Sequence, residues 1–186
     1  MMKRRHFLYA VGAAVTGFRL ENTSAQASTT DRSRLRSLAV LEVELQDDQN
    51  NPLTKAAQVV RLNNSLALLR RELEEHRLYK IIDPAPAQDV ERRLRSQQEF
   101  MYRCDDCAVQ IGRAISVELV MTPWVQKVSE LILNLNVQVV DVRSEKVIFT
   151  KSVDMRGNND ESWSRAVKYL VRDMAEKRAR NPKYGQ

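Results

Sequence analysis

The segment Leu131-Ile-Leu133-Asn-Leu135-Asn-Val137-Gln-Val139 constrains the fold more than any other stretch. Its odd positions are apolar, while Asn134, Asn136 and Gln138 carry amides. Successive side chains of a strand point to opposite faces, so strict alternation marks a strand with one buried and one polar face. Half-buried strands of this kind belong to antiparallel sheets. Asp141-Val-Arg-Ser-Glu-Lys146 supplies a turn, and Val147, Phe149, Val153 and Met155 continue the buried face on a return strand.

Upstream of that hairpin, Leu38-Ala-Val-Leu-Glu-Val-Glu-Leu45 starts as an unbroken apolar run and then alternates. This predicts one strand, buried on both faces at its start. Asp47-Asp-Gln-Asn-Asn-Pro52 breaks it, and Asn51-Pro52 is suited to cap and open a helix. Val59, Leu62, Leu66, Leu69 and Leu73 recur at spacings of three and four, predicting one buried stripe on a helix over 53–76. Leu78-Tyr-Lys-Ile-Ile82 reads as a short strand, so strand, helix and strand imply a βαβ crossover. Residues 87–100 are highly charged, with Val90 and Leu94 as the main apolar anchors, and predict a surface helix or an ordered loop. Pro123 interrupts the strand region Val117–Val128, which predicts an edge, a bend or a bulge there. After Gly157-Asn-Asn-Asp160, a last helix carries Trp163, Val167, Leu170 and Met174 on one side, capped by Asn159 or Asp160. Lys177, Arg178, Arg180 and Lys183 complement the C-terminal end of its dipole.

The expected fold is therefore α/β (α+β). One domain spans 37–180, with a mixed sheet, antiparallel C-terminal strands and helices packed on it. A short tail follows at 181–186.

Residues 1–27 read as an export leader. Lys3, Arg4 and Arg5 precede a short apolar run ending at Phe18, and Ala25-Gln26-Ala27 offers a cleavage site. The run is far shorter than the roughly 20 residues that span a bilayer. Arg4-Arg5 followed by Phe7-Leu8 resembles a twin-arginine leader, while Lys3 and Tyr9 depart from that motif's usual flanks, so both export routes stay open. The leader holds four basic residues and one acidic residue, and its removal lowers the net charge from +6 to +3. Residues 28–186 suffice for one domain with a hydrophobic core. A mildly basic exported chain, with no cysteine near the cleavage site to carry a lipid, is expected to be soluble and periplasmic, with no nucleic acid as partner. Residues 28–36 form a polar tail.

Cys104-Asp-Asp-Cys107 holds both cysteines. In an oxidising compartment two thiols at this spacing pair. The pair is either redox-active or a structural clip at the start of a helix that feeds the strand at Val117. A thioredoxin-type enzyme needs a further helix and a later proline opposite the disulfide, and the stretch between Cys107 and Pro123 has no room for that helix. Asp105 and Asp106 also oppose the thiolate that reactivity requires. A structural disulfide between Cys104 and Cys107 is the expected reading. A zinc site would need His76, the one histidine after the leader, and a carboxylate to join both cysteines, so no metal is expected.

Hydrolase, phosphate-loop and dinucleotide motifs are absent from the sequence. Asp47-Asp48 and Asp160-Glu161 fit turn and cap chemistry better than catalysis. Arg165, Lys168 and Arg172 form a basic row on the last helix that reads as a solvated face, with an anionic partner as the alternative.

Two stretches, Cys107-Ala-Val-Gln-Ile-Gly-Arg-Ala-Ile-Ser-Val-Glu-Leu-Val120 and Leu133–Val142, resemble the periplasmic α/β domain of the TolB amino-terminal part and of CsgG-like and penicillin-binding-protein-activator lipoproteins. Ser144-Glu145 departs from the glycine turn usual there. The motif C-x-x-C-A at Cys104–Ala108, the segment Gln126-Lys127-Val-Ser129 and the run Arg156-Gly157-Asn-Asn-Asp160-Glu-Ser-Trp163 resemble a family of exported bacterial proteins with a domain of unknown function. That resemblance implies a shared fold and export, and no activity. Arg156, Asn158, Asp160 and Trp163 are its candidate interaction residues. The expected protein is a non-enzymatic periplasmic accessory or binding protein that needs no cofactor and acts on another protein. The alternative is a thiol–disulfide or chaperone-like accessory to a periplasmic oxidoreductase.

Overall fold

A computed structural model of the chain describes residues 34–49 and 51–186. The expected leader and most of the 28–36 tail lie outside the described residues. In chain order the elements are β1 (Ser37–Val40), β2 (Glu44–Asp47), α1 (Pro52–Glu75), β3 (Lys80–Ile82), α2 (Gln88–Arg95), α3 (Cys107–Ala114), β4 (Leu119–Lys127), β5 (Ile132–Asp141), β6 (Lys146–Arg156) and α4 (Asp160–Arg180). Single 3₁₀ turns at Ala85–Ala87 and Met101–Arg103 flank α2.

The sheet runs β3-β1-β4-β5-β6, and β2 prolongs the line of β1 along β4. β1 is parallel to β3 and β4, whereas β4, β5 and β6 form an antiparallel meander. The fold is thus a mixed α/β sheet with an antiparallel C-terminal half. Leu133, Leu135, Val137 and Val139 of β5 face a first core shared with α1 and α4. Ala39, Val120, Val140 and Val142 face a second core beneath α2 and α3. The unbroken apolar run Leu38–Leu41 follows from this layering, because β1 is covered on both faces. Among the described residues, no helix is long and apolar enough to cross a membrane.

The strand expected over Leu38–Leu45 is two strands. Val40 pairs with Met121 and Glu44 with Trp124, so four steps along one line match three along the other. The bulge at Leu41–Val43 lies opposite Pro123, which has no amide hydrogen to donate. The proline thus sits inside the central strand, and its neighbour bends away.

On α1, Asn51 accepts the Leu53 amide at 3.0 Å with Pro52 in the first turn, as the sequence indicates. The buried stripe is Gln58, Ser65, Leu69 and Leu73, with Leu62 and Leu66 half-buried, and Val59 is 49% exposed. Val59 loses its expected place because the first turns of α1 pack over a polar site that draws in Gln58. Val147, expected on the buried face, is 51% exposed. Val139 pairs with Phe149 but Val140 with Val147, and the extra residue Ile148 turns Val147 to the other face. In the preceding turn Glu145 takes φ +59°, the left-handed conformation that favours glycine.

Residues 181–186, expected as a tail, fold back onto the domain. Arg178 lies over the Tyr79 ring at 4.4 Å and donates to the carbonyls of Leu78, Tyr184 and Gly185. The buried Tyr79 hydroxyl also donates to the Gly185 carbonyl.

Gly112 of α3 is where helix and sheet come closest. A Cβ there would lie 2.4 Å from Val142 Cγ2 and 2.9 Å from Val120 Cγ2. Gly112→Ala is expected to cost about 1–3 kcal/mol through overpacking, despite alanine's better helix propensity. Urea unfolding measures it, and a neutral or stabilising result would contradict this packing.

Candidate functional site

The run Arg156–Trp163 is a corner that joins the end of β6 to α4. Gly157 turns the chain with φ +88° and donates its amide to the Leu131 carbonyl at 3.0 Å. Asn159 caps α4 by accepting the Ser162 amide at 2.9 Å, and the Ser162 hydroxyl donates back to the Arg156 carbonyl at 2.7 Å. Asp160 and Glu161 occupy the first turn, where negative charge complements the helix dipole.

Asn158 is the hub of this corner. Its carbonyl oxygen accepts the Trp163 indole at 3.0 Å and an Arg61 guanidinium nitrogen at 3.3 Å. Arg61 Nε in turn donates to Asp160 at 2.7 Å. The Asn158 amide donates to Glu130 at 2.9 Å. Asn158, Asp160 and Trp163 are thus brought together, and α1 supplies the arginine that links them. The Arg156 side chain points away, exposed on β6.

Behind the corner lies a lysine that sequence reasoning did not single out as a site residue. The Lys127 side chain is fully buried, 3.1 Å from Asp47 and 2.5 Å from Glu130. Gln58 donates to the same Asp47 oxygen at 3.3 Å. Burial works against the charged amine, but Glu130 and Asp47 outweigh it and raise the Lys127 pKa above its ordinary value. Burial likewise opposes the Asp47 carboxylate, yet Lys127, the Gln49 amide and Gln58 lower its pKa. Contact with Lys127 and Asn158 lowers that of Glu130. Asp47 thus combines a turn role with the ion pair, and the network ties β2, α1, β4 and the β6–α4 corner together.

Two spaces open beside the corner. A cleft of about 250 Å³ between α1 and α4 is bounded by Arg61, Ser65, Asp160 and Trp163. A groove of about 550 Å³ runs between β6 and α4.

The cysteines belong elsewhere, on the α2–α3 face. Cys104 and Cys107 are bonded, with Cα atoms 5.5 Å apart. Cys107 opens α3 and is fully buried in the second core, while Cys104 is half-buried. Asp106 lies near both sulfurs, a set of atoms with metal-ligand character, but the disulfide engages both thiols. Replacing both cysteines by serine is expected to cost about 2 kcal/mol on the loop-entropy estimate for so short a loop. A thermal melt with and without reductant measures it, and an unchanged melting temperature would deny the pair its role as a clip.

This fold and site define an α/β domain with helices on both faces of a mixed sheet and a hydrogen-bonded strand-to-helix corner. Among solved structures it is similar to the LpoB C-terminal domain from Salmonella enterica, at 15% identity and TM-score 0.44 over 68% of this chain and 87% of that one. It is also similar to TolB from Acinetobacter baumannii, at 9% identity and TM-score 0.43 over 81% of this chain and 30% of that one. A putative neuraminyllactose-binding hemagglutinin homolog from Helicobacter pylori is similar at 9% identity and TM-score 0.49, over 80% and 87% of the two chains. No curated protein matches the chain by sequence. The chain belongs to the DUF3280 family, described as "Protein of unknown function (DUF2380)", whose family model matches residues 36–174.

Proposed function

We infer that this is a non-enzymatic periplasmic accessory or binding protein that works by contact with another protein. The groove beside the β6–α4 corner carries this reading. It is large, open and walled by elements that the Asn158 hub holds in fixed relation. The polar groups around it engage one another in ion pairs and caps, an arrangement that presents a shape. Arg156, Asn158, Asp160 and Trp163 then divide their roles: Arg156 faces the partner, and the other three hold the corner. Crosslinking the tagged mature protein in the periplasm of its source bacterium is expected to recover one partner at fixed stoichiometry. Repeated failure to recover any would sink the reading.

Thiol exchange through Cys104 and Cys107 is the second reading, favoured by the position of Cys107 at the start of α3. The burial of Cys107 and the carboxylates of Asp105 and Asp106 speak against it. A reduction potential below roughly −300 mV marks the bond as structural, and a markedly higher one revives the exchange reading.

A further inference from the structure

Among the described residues, β6 has a neighbour on one side only, which leaves its other edge open. Within an antiparallel ladder, pairs that exchange hydrogen bonds alternate with pairs that do not. The bond from the Gly157 amide to the Leu131 carbonyl sets the phase, in the same register as Met155 with Leu133 and Val153 with Leu135. The amides of Ser152, Asp154 and Arg156 and the carbonyls of Ser152 and Asp154 therefore point outward along the open edge, while the Arg156 carbonyl accepts the Ser162 hydroxyl at 2.7 Å. The bulge at Ile148 blunts the other end of the strand. A regular stretch from Thr150 to Arg156 remains, about 23 Å long.

The groove runs along this stretch. Ser152, Asp154 and Arg156 form one wall, and Ser162, Arg165 and Tyr169, one stripe of α4, form the other. Its floor is apolar, with Val153, Met155 and Ala166. An edge strand facing a helix across a groove is the geometry that takes up an extended peptide as an added strand. The charges select the peptide. Arg156 makes no ion pair among the described residues, and Arg165 is 68% exposed with only Glu161 at 3.2 Å. Lys168 and Arg172 continue the basic row on α4. Asp154, the one acid in the walls, is tied to the Asn134 amide at 2.6 Å.

We propose that the open edge of β6 binds an extended, acidic peptide segment of the partner, which adds as a strand beside Ser152–Arg156. Its apolar side chains sit over Val153, Met155 and Ala166 on the α4 side, its carboxylates meet Arg156 on the opposite face, and Arg165 at the rim of the groove adds to the positive potential that draws the peptide in. This rests on the reading above as a protein that acts by contact.

The test uses the mature chain and labelled ten-residue peptides in which Val alternates with Glu or with Lys. The Val-Glu peptide is expected to bind and the Val-Lys peptide not. Arg156→Glu with Arg165→Glu should weaken Val-Glu binding at least about tenfold, with the melting temperature unchanged because both side chains are exposed. Asp154→Pro removes one outward amide, leaves the β5 ladder bonds in place and is expected to abolish binding. Bound peptide should slow hydrogen exchange at Ser152, Asp154 and Arg156. Equal binding of both peptides, binding that survives Asp154→Pro, or an edge covered by a second copy of this chain would each overturn the proposal. Capture of the cellular partner separates the two claims. If the double variant still captures it, the groove assignment falls and the contact reading stands. If the unaltered chain captures nothing, the contact reading itself falls.

Discussion

Lys127→Met is expected to lower the unfolding free energy by about 3 kcal/mol, among the largest effects of any single change in this chain. The cost comes from what the substitution leaves behind. The Asp47 carboxylate is only 10% exposed and would keep Gln58 but lose its counter-ion. Glu130, at 43% exposed, suffers less because water screens it. Adding Asp47→Asn to Lys127→Met should therefore recover part of the loss, a coupling that a double-mutant cycle in urea measures. Additive costs would mean that the pair does not interact. The pH dependence follows from the same contacts. Asp47 and Glu130 have pKa values lowered from 3.8 and 4.5, so their contribution is present above those values and fades as the pH falls through the lower folded ones. Lys127 is raised above 10.5, so its contribution is present below that value and fades as the pH rises through the higher folded one. Stability should form a plateau between about pH 5 and 10, with both limbs shallower in Lys127→Met.

Trp163→Ala is expected to cost about 3–5 kcal/mol, since the side chain is 2% exposed and its removal leaves a large cavity between α4 and the sheet. It also takes away the indole donor that holds Asn158. Trp163→Phe separates the two effects. It keeps most of the volume and leaves the Asn158 oxygen with Arg61 alone, at a cost of about 1 kcal/mol for the lost hydrogen bond. Denaturant titrations of both variants check the ranking. Equal losses would assign the role of Trp163 to the hydrogen bond instead of to packing.

The meander of β4, β5 and β6 was legible because alternation reports burial directly: Leu133, Leu135, Val137 and Val139 are buried as their spacing requires, while Leu131, read as the first of that row, lies just before β5 and is 72% exposed. The helix start at Asn51-Pro52 and the Asn159 cap were legible because local backbone chemistry decides them. The buried network was not. Asp47, Gln58, Lys127 and Glu130 each look like surface residues in their own segments, and their burial arises only where distant segments meet. Two faint signals existed. Lys127 follows Val125 at the inward phase of β4, and Gln58 and Ser65 lead at helical spacing into Leu69 and Leu73. The break between β1 and β2 escaped notice because Pro123, which accounts for it, lies in another strand. The four candidate residues of the Arg156–Trp163 run were visible as a motif, but their division into one outward arginine and three corner-holding groups depends on how β6 meets α4 and α1.

The meander and the parallel half of the sheet differ in how far along the chain their partners lie. β4 pairs with β5 and β5 with β6, each with its immediate successor, whereas Leu38 must find Leu119 and Ala39 must find Val120 across about half of the domain. Loop-closure entropy weighs against the second kind of pairing until the first exists. Residues 119–156 are therefore expected to gather first and to serve as the template on which β1 docks. Leu135→Ala should then slow refolding, whereas Val40→Ala should chiefly quicken unfolding, as stopped-flow chevrons of the two variants would show. By this order the open edge of β6 stands ready before the N-terminal half of the domain has closed.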